Sequence, residues 1–182
     1  MLSQSWCAQL AAQLRDHPAL AAMIGGDCVA VQCTFFEKSA GHNWLVALHQ
    51  DVSIPVEGMV NDKTLSGWSI KDSIQFVRAP QDVLAQLVAV RVHVDPCGPD
   101  DGPLRLVPGS HLGGIVDDAT ARRLRAAHGE VVCVAEAGDV LVMRPLLLHA
   151  SSKGRGGSQR RVLHFVYGPR ELPHGLRWHT AL

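Results

Sequence analysis

The stretch VAVRVHVD, residues 88 to 95, alternates without a break: Val88, Val90, Val92 and Val94 share one face, and Arg91, His93 and Asp95 share the other. Period-two alternation marks a strand with two distinct faces, one of which belongs to a core while the polar one needs partners. Downstream, Asp100-Asp101-Gly102-Pro103 reads as a turn and residues 104 to 107 as a short strand leading into Pro108-Gly109-Ser110-His111. A helix is predicted over 118 to 127, capped by Asp117 and ended at Gly129, with Arg122, Arg123 and Arg125 on a solvated face. Residues 131 to 134, 140 to 143 and 160 to 167 complete the later strands, with Gly138-Asp139 as a turn.

Upstream, residues 28 to 36 and 44 to 48 are apolar runs that read as strands, the second ending at His49. Residues 1 to 27 form a helical N-terminal part: Trp6, Leu10 and Leu14 recur at helical spacing up to Pro18, a second short turn covers 19 to 23, and Gly25-Gly26 stops it. Pro55, Gly58, Gly67 and Pro80, spread among Lys63, Trp68, Lys71 and Arg78, predict a long lid-like loop over 55 to 80, after which Pro80 opens a short helix to Leu87. Many short strands between turns give a mainly β fold. The expectation is a double-stranded β-helix, a jelly roll of the cupin-like kind, with N-terminal and inserted helices, as one domain over residues 1 to 182.

Seventeen basic and seventeen acidic residues cancel, so no global field favours nucleic acid or an anionic membrane. The five cysteines are scattered, with no Cys-x-x-Cys pair, which argues against a disulfide framework or structural zinc and for a reducing, cytoplasmic setting. The first residues lack the basic start and apolar run of a signal peptide, and no stretch reaches membrane-spanning length.

His49-Gln50-Asp51 at a strand end, with His149 about a hundred residues later, offers two imidazoles and a carboxylate, the facial ligand set of non-haem Fe(II) oxygenases. Ten histidines and a dozen aspartates supply His-x-Asp roughly 0.7 times by chance, and His93-Val94-Asp95 is a second instance. Context favours the first, because metal ligands belong at strand ends facing an open mouth. His93 then lines the pocket or is a satisfied core histidine. Arg160 and Arg161 point to opposite faces of one strand, so only one can pair with an organic acid inside the fold, through two parallel hydrogen bonds.

These residues carry a family resemblance. Phe35-Phe36-Glu37-Lys38, Asn43-Trp44, His49-Gln50-Asp51, Gly102-Pro103-Leu104-Arg105-Leu106-Val107-Pro108-Gly109-Ser110-His111, residues 138 to 149 and Arg160 together resemble the phytanoyl-CoA dioxygenase family of Fe(II)- and 2-oxoglutarate-dependent oxygenases. The resemblance implies His49, Asp51 and His149 as iron ligands, Arg160 as the clamp for the distal carboxylate of 2-oxoglutarate, and Ser151 as a second contact to it. It implies Fe(II), 2-oxoglutarate and dioxygen as cofactor and cosubstrates, with hydroxylation of a C–H bond and release of succinate and carbon dioxide. Asp51 favours hydroxylation over halogenation, which needs that ligand position open. Position alone nominates Lys38 and Asn43 for the cosubstrate and Trp68, Lys71, Arg91 and His93 for the substrate. The chain is short for the family, and its balanced charge favours a small molecule over an acyl-CoA. A cupin-like metalloenzyme without an oxoacid and a non-catalytic ligand-binding barrel are the competing readings; oligomeric state is not legible.

Overall fold

A computed structural model describes residues 1–155, 157 and 159–182; Gly156 and Ser158 lie outside the described residues. The chain divides into two compact units. The first comprises Met1–Thr34, Val52–Ala89 and Phe165–Leu182, and the second Phe35–Asp51 and Val90–His164.

In the first unit, helices α1 (Ser5–Asp16) and α2 (Pro18–Ile24) precede strand β1 (Cys28–Lys38), whose later residues belong to the second unit. The α1 face that is buried is Cys7, Ala11 and Leu14, whereas Trp6, expected inside, is 47% exposed. Small side chains decide this, since Cys7 and Ala11 let a strand approach closely enough for the buried Tyr167 hydroxyl to donate to the Ala11 carbonyl at 2.8 Å. His17 caps α2 by accepting from the Ala19 amide through Nδ1, and Pro18 occupies the first turn, where its missing N–H costs nothing.

The loop expected over 55 to 80 is instead largely a three-stranded antiparallel sheet, β3 (Ser53–Val56), β4 (Ser66–Lys71) and β5 (Ile74–Arg78), in the order β3-β5-β4. The residues read as loop breakers have positions a sheet tolerates. Pro55 is on the edge strand, where no ladder N–H is needed, and Gly67, at φ 67°, lies where the β4 register shifts. Asp72 and Ser73, both at positive φ, make the two-residue hairpin between Lys71 and Ile74 that their side chains do not advertise. Helix α3 (Gln81–Gln86) follows, with Pro80 at its N-cap.

The second unit contains the sheet β2 (Val46–His49), β10 (His149–Ser151), β7 (Leu104–Leu106) and β8 (Val131–Cys133), in that order. A second four-stranded sheet has the order β1-β11-β6-β9, from β11 (Arg160–Pro169), β6 (Val88–His93) and β9 (Val140–Met143). Neighbours remote in sequence, such as β2 beside β10, are the mark of the jelly roll, so the fold is the double-stranded β-helix expected. On β6 both faces are enclosed: Val88 and Val90 are buried, and so are Arg91 and His93. Helix α4 (Asp118–His128) starts at Asp117, whose carboxylate accepts from the Thr120 amide at 2.7 Å, and ends at Gly129. Its buried Ala121, with Leu124, packs on Val107, Leu148 and Leu48. Leu148 and Leu48 immediately precede His149 and His49, so one apolar cluster anchors the approach to both imidazoles.

Candidate metal and oxoacid site

The β2–β10 ladder sets His49 directly opposite His149, and their ring centroids lie 4.2 Å apart. Two histidines a hundred residues apart therefore meet because one antiparallel register pairs them. Asp51, two residues past the end of β2, is held by its amide donating to the Pro145 carbonyl at 3.0 Å. Its Oδ1 is 3.5 Å from His49 Nε2 and its Oδ2 is 3.5 Å from His149 Nε2. The three ligand atoms lie within 4.8 Å of one another.

Both imidazoles are aimed in the same way. Nδ1 of His49 is 2.8 Å from the Ala47 carbonyl, and Nδ1 of His149 is 2.8 Å from the Leu147 carbonyl. A carbonyl only accepts, so Nδ1 carries a proton, which leaves Nε2, beside Asp51, as the nitrogen a metal would take. This backbone-held imidazole is the arrangement metal-binding histidines use, and the donor set suits a divalent iron. Burial alone would raise the Asp51 carboxyl, but the His49 and His149 imidazoles outweigh it and hold it at about 2, so it is ionised. Asp51 raises His49, while burial lowers His149.

Gln50, between the two residues, faces the other way as a hub. Its Nε2 donates to the Gly114 carbonyl at 2.8 Å and the Leu146 carbonyl at 2.6 Å, and its Oε1 accepts from the Val116 amide at 3.0 Å. The Pro-Gly-Ser-His segment has a comparable role. Ser110 Oγ donates to the Val107 carbonyl at 2.7 Å and accepts from the Leu148 amide at 2.8 Å, tying the turn to the residue before His149.

Deeper in the same unit, three side chains converge. Arg160, 4% exposed, donates from Nη1 to the Gly102 carbonyl at 2.6 Å; Ser151 Oγ donates to the same carbonyl at 2.8 Å; and Lys38 Nζ donates to Ser151 Oγ at 2.6 Å and also meets the Ser152 carbonyl. Burial, then the Arg160 charge, push the Lys38 ammonium down to about 8. Gly102 is at φ 65°, and a Cβ there would collide with the Ser152 carbonyl. Its part was missed because a backbone acceptor has no side-chain signature; the Asp-Asp-Gly-Pro turn was its only signal.

Arg161 points the other way, pairing with Asp95 through Nε and Nη2 at 2.7 Å each. Asp95 is thereby occupied, and His93 is buried, its Nδ1 without a hydrogen-bond partner among the described residues and outside the His49–Asp51–His149 group. Asn43 departs from its expected place beside the cosubstrate: it is exposed, and its amide is engaged at both ends with Gly154, at 2.8 Å each, which pins the 153–155 segment. Trp68 and Lys71 lie on β4 of the first unit, where the Lys71 ammonium sits 4.8 Å over the Phe76 ring. His164 escaped sequence reasoning. It is buried, and its Nδ1 is 3.1 Å from Arg91 Nη1.

The phytanoyl-CoA dioxygenase family model matches residues 2–162. No curated protein matches the sequence. Among solved structures, AviO1 from Streptomyces viridochromogenes Tue57 is similar at 27% identity and TM-score 0.59, over 94% of this chain and 61% of AviO1. EctD from S. alaskensis with 2-oxoglutarate and 5-hydroxyectoine is similar at 20% identity and TM-score 0.65, over 90% of this chain and 52% of EctD. The non-heme alpha ketoglutarate dependent carbocyclase SnoK from nogalamycin biosynthesis is similar at 17% identity and TM-score 0.56, over 87% of this chain and 61% of SnoK. The chain thus spans between half and two thirds of the length of these three relatives. With the family model matched along most of its length and the jelly-roll fold shared with these structures, the chain belongs to the phytanoyl-CoA dioxygenase family.

Proposed function

We propose that this chain is an Fe(II)- and 2-oxoglutarate-dependent oxygenase that hydroxylates an unactivated C–H bond of a small molecule. The observation that carries the reading is the pair of imidazoles locked by their own strand carbonyls, with both Nε2 atoms beside the ionised Asp51. When bound, Fe(II) supplies the dioxygen activation by which 2-oxoglutarate is oxidised to succinate and carbon dioxide while one oxygen atom enters the C–H bond. His49, Asp51 and His149 hold the metal from one side and leave the remaining positions open. Arg160 takes the far carboxylate of the oxoacid, and Ser151 and Lys38 offer further donors beside it. Family membership supports the cosubstrate, and Asp51 supports hydroxylation over halogenation. Arg91 and His93, buried on β6, are proposed as substrate-side residues. Five cysteines without a disulfide support a cytosolic location.

The test is succinate release by purified protein with Fe(II), ascorbate and 2-oxoglutarate under air. Turnover, even uncoupled from substrate, is expected. Arg160→Ala should raise the 2-oxoglutarate requirement by roughly 10- to 150-fold while iron remains bound, the range for losing a charge-assisted hydrogen bond. No succinate in the wild type, with iron binding unchanged in His49→Ala, would sink the oxygenase reading. Iron binding that needs His49, with no succinate formed, would point to a cupin-like metalloenzyme without an oxoacid.

A further inference from the structure

The second unit holds more buried positive charge than the proposed cosubstrate uses. Lys38, Arg91 and Arg160 are all buried, and among the described residues no carboxylate is buried with them; the half-exposed Asp51 is the negative group at the site. Seating a divalent iron with a dianionic 2-oxoglutarate leaves that balance unchanged, so the interior remains cationic and favours one more anion.

Arg91, proposed above on the substrate side, is the one of the three with no anion yet named for it. The residue is 6% exposed, and its guanidinium is fixed on two sides. Nη1 lies 3.1 Å from His164 Nδ1, and because arginine only donates, that nitrogen accepts and the imidazole is neutral. Phe36 lies 5.5 Å from Arg91 Cζ and stands edge-on to His164 at 5.8 Å, so ring and guanidinium hold each other. Arg91 Nε has no hydrogen-bond partner among the described residues. A buried donor left in that state costs free energy until an acceptor arrives. The edge involved is the one along which a guanidinium takes a carboxylate side-on, as Arg161 does with Asp95 in this chain.

Position separates Arg91 from the oxoacid clamp. The Val94 amide donates to the Arg161 carbonyl at 2.9 Å, a register that sets Arg91 across from His164, four residues along β11 from Arg160 and so roughly 13 Å away along the strand. Arg160 and then Asp51 are among the charges acting on Arg91, so the guanidinium shares one buried charge environment with the clamp and the metal ligands.

We propose that the Nε edge of Arg91 receives a carboxylate of the substrate, so that the molecule oxidised is a small organic acid. This inference rests on the oxygenase reading above. The experiment loads the protein anaerobically with Fe(II) and saturating 2-oxoglutarate, filling metal and clamp, and titrates it calorimetrically with propionate against propionamide and benzoate against benzamide. At least one acid should bind on the order of tenfold tighter than its amide, a preference that falls to about threefold or less in Arg91→Gln and is partly kept in Arg91→Lys. Equal binding of acid and amide by the wild type overturns the proposal, whether or not the variants fold. So does a preference that survives Arg91→Gln, or a loss of 2-oxoglutarate affinity in that variant larger than its loss of acid preference, which would assign the guanidinium to the cosubstrate. Uncoupled succinate release by the same preparation keeps the two readings apart: its absence fails the oxygenase, whereas its presence without acid preference fails only this inference.

Discussion

Gln50 stands between two proposed iron ligands and spends its amide on the Gly114, Val116 and Leu146 backbone. Through it the turn before β10 and the segment entering α4 are fastened to the proposed ligands on either side of it. Gln50→Ala should therefore lower metal affinity by roughly 10- to 100-fold without removing a ligand, the usual cost of losing a residue that orients ligands; an anaerobic Fe(II) titration measures it, and unchanged affinity would count against the hub. Lys38 carries a pH signature. Its ammonium is held at about 8 against an ordinary 10.5, first by burial and then by Arg160, so the unfolded chain keeps this proton over a range where the folded chain has lost it. Stability should accordingly rise from pH 8 toward 10.5 relative to Lys38→Met. A carboxylate bound beside Lys38 favours its charged form, so 2-oxoglutarate affinity should decline as the pH passes above 8. Urea unfolding and oxoacid titration across that window check both signs, and a difference flat with pH removes Lys38 from the account.

At the scale of elements, the site depends on short strands being held in register. β10 is only three residues long, yet it lies between β2 and β7 and carries His149 and Ser151. So short a ladder needs an external fix, which Ser110 provides by bridging the Val107 carbonyl and the Leu148 amide. Ser110→Ala leaves that buried amide unpaired and should cost about 1–3 kcal/mol in denaturant unfolding. A loss within about 0.5 kcal/mol of zero, the range of ordinary surface changes, would mean water replaces the hydroxyl without penalty. The strands with alternating or apolar runs and the capped helix α4 were legible, because alternation, caps and terminal glycines act locally. The β3–β5 sheet was not. Pro55 and Gly67 break most strands, and only an edge position and a register shift make them harmless. The buried face of α1 was misjudged because helical spacing marked Trp6, while the neighbouring strand required the small Cys7 and Ala11.

At the scale of the molecule, metal binding and folding should be linked. The three donors come from β2, the second residue after it and β10, so they are assembled only when that ladder forms. Fe(II) at a hundred times its dissociation constant should stabilise the protein by about 2.7 kcal/mol, a chelator should reverse the gain, and His149→Ala should abolish it; anaerobic thermal unfolding with and without metal is the measurement. A gain that persists in His149→Ala would place the metal elsewhere.

Most of the strand set, the ends of α4, the opposite facing of Arg160 and Arg161, and the kinds of ligand available were legible in the chain alone, because each follows from contacts within a few residues. Taken residue by residue, it held two His-x-Asp pairs, of which position at a strand end favoured the first, and the family resemblance then pointed to the same one. Only the tertiary structure set His49 against His149, occupied Asp95 with Arg161, turned the Gly102 carbonyl toward Arg160 and placed His164 behind Arg91. Those outcomes depend on strand register between segments far apart in the chain, and a one-residue slip would send every side chain to the opposite face.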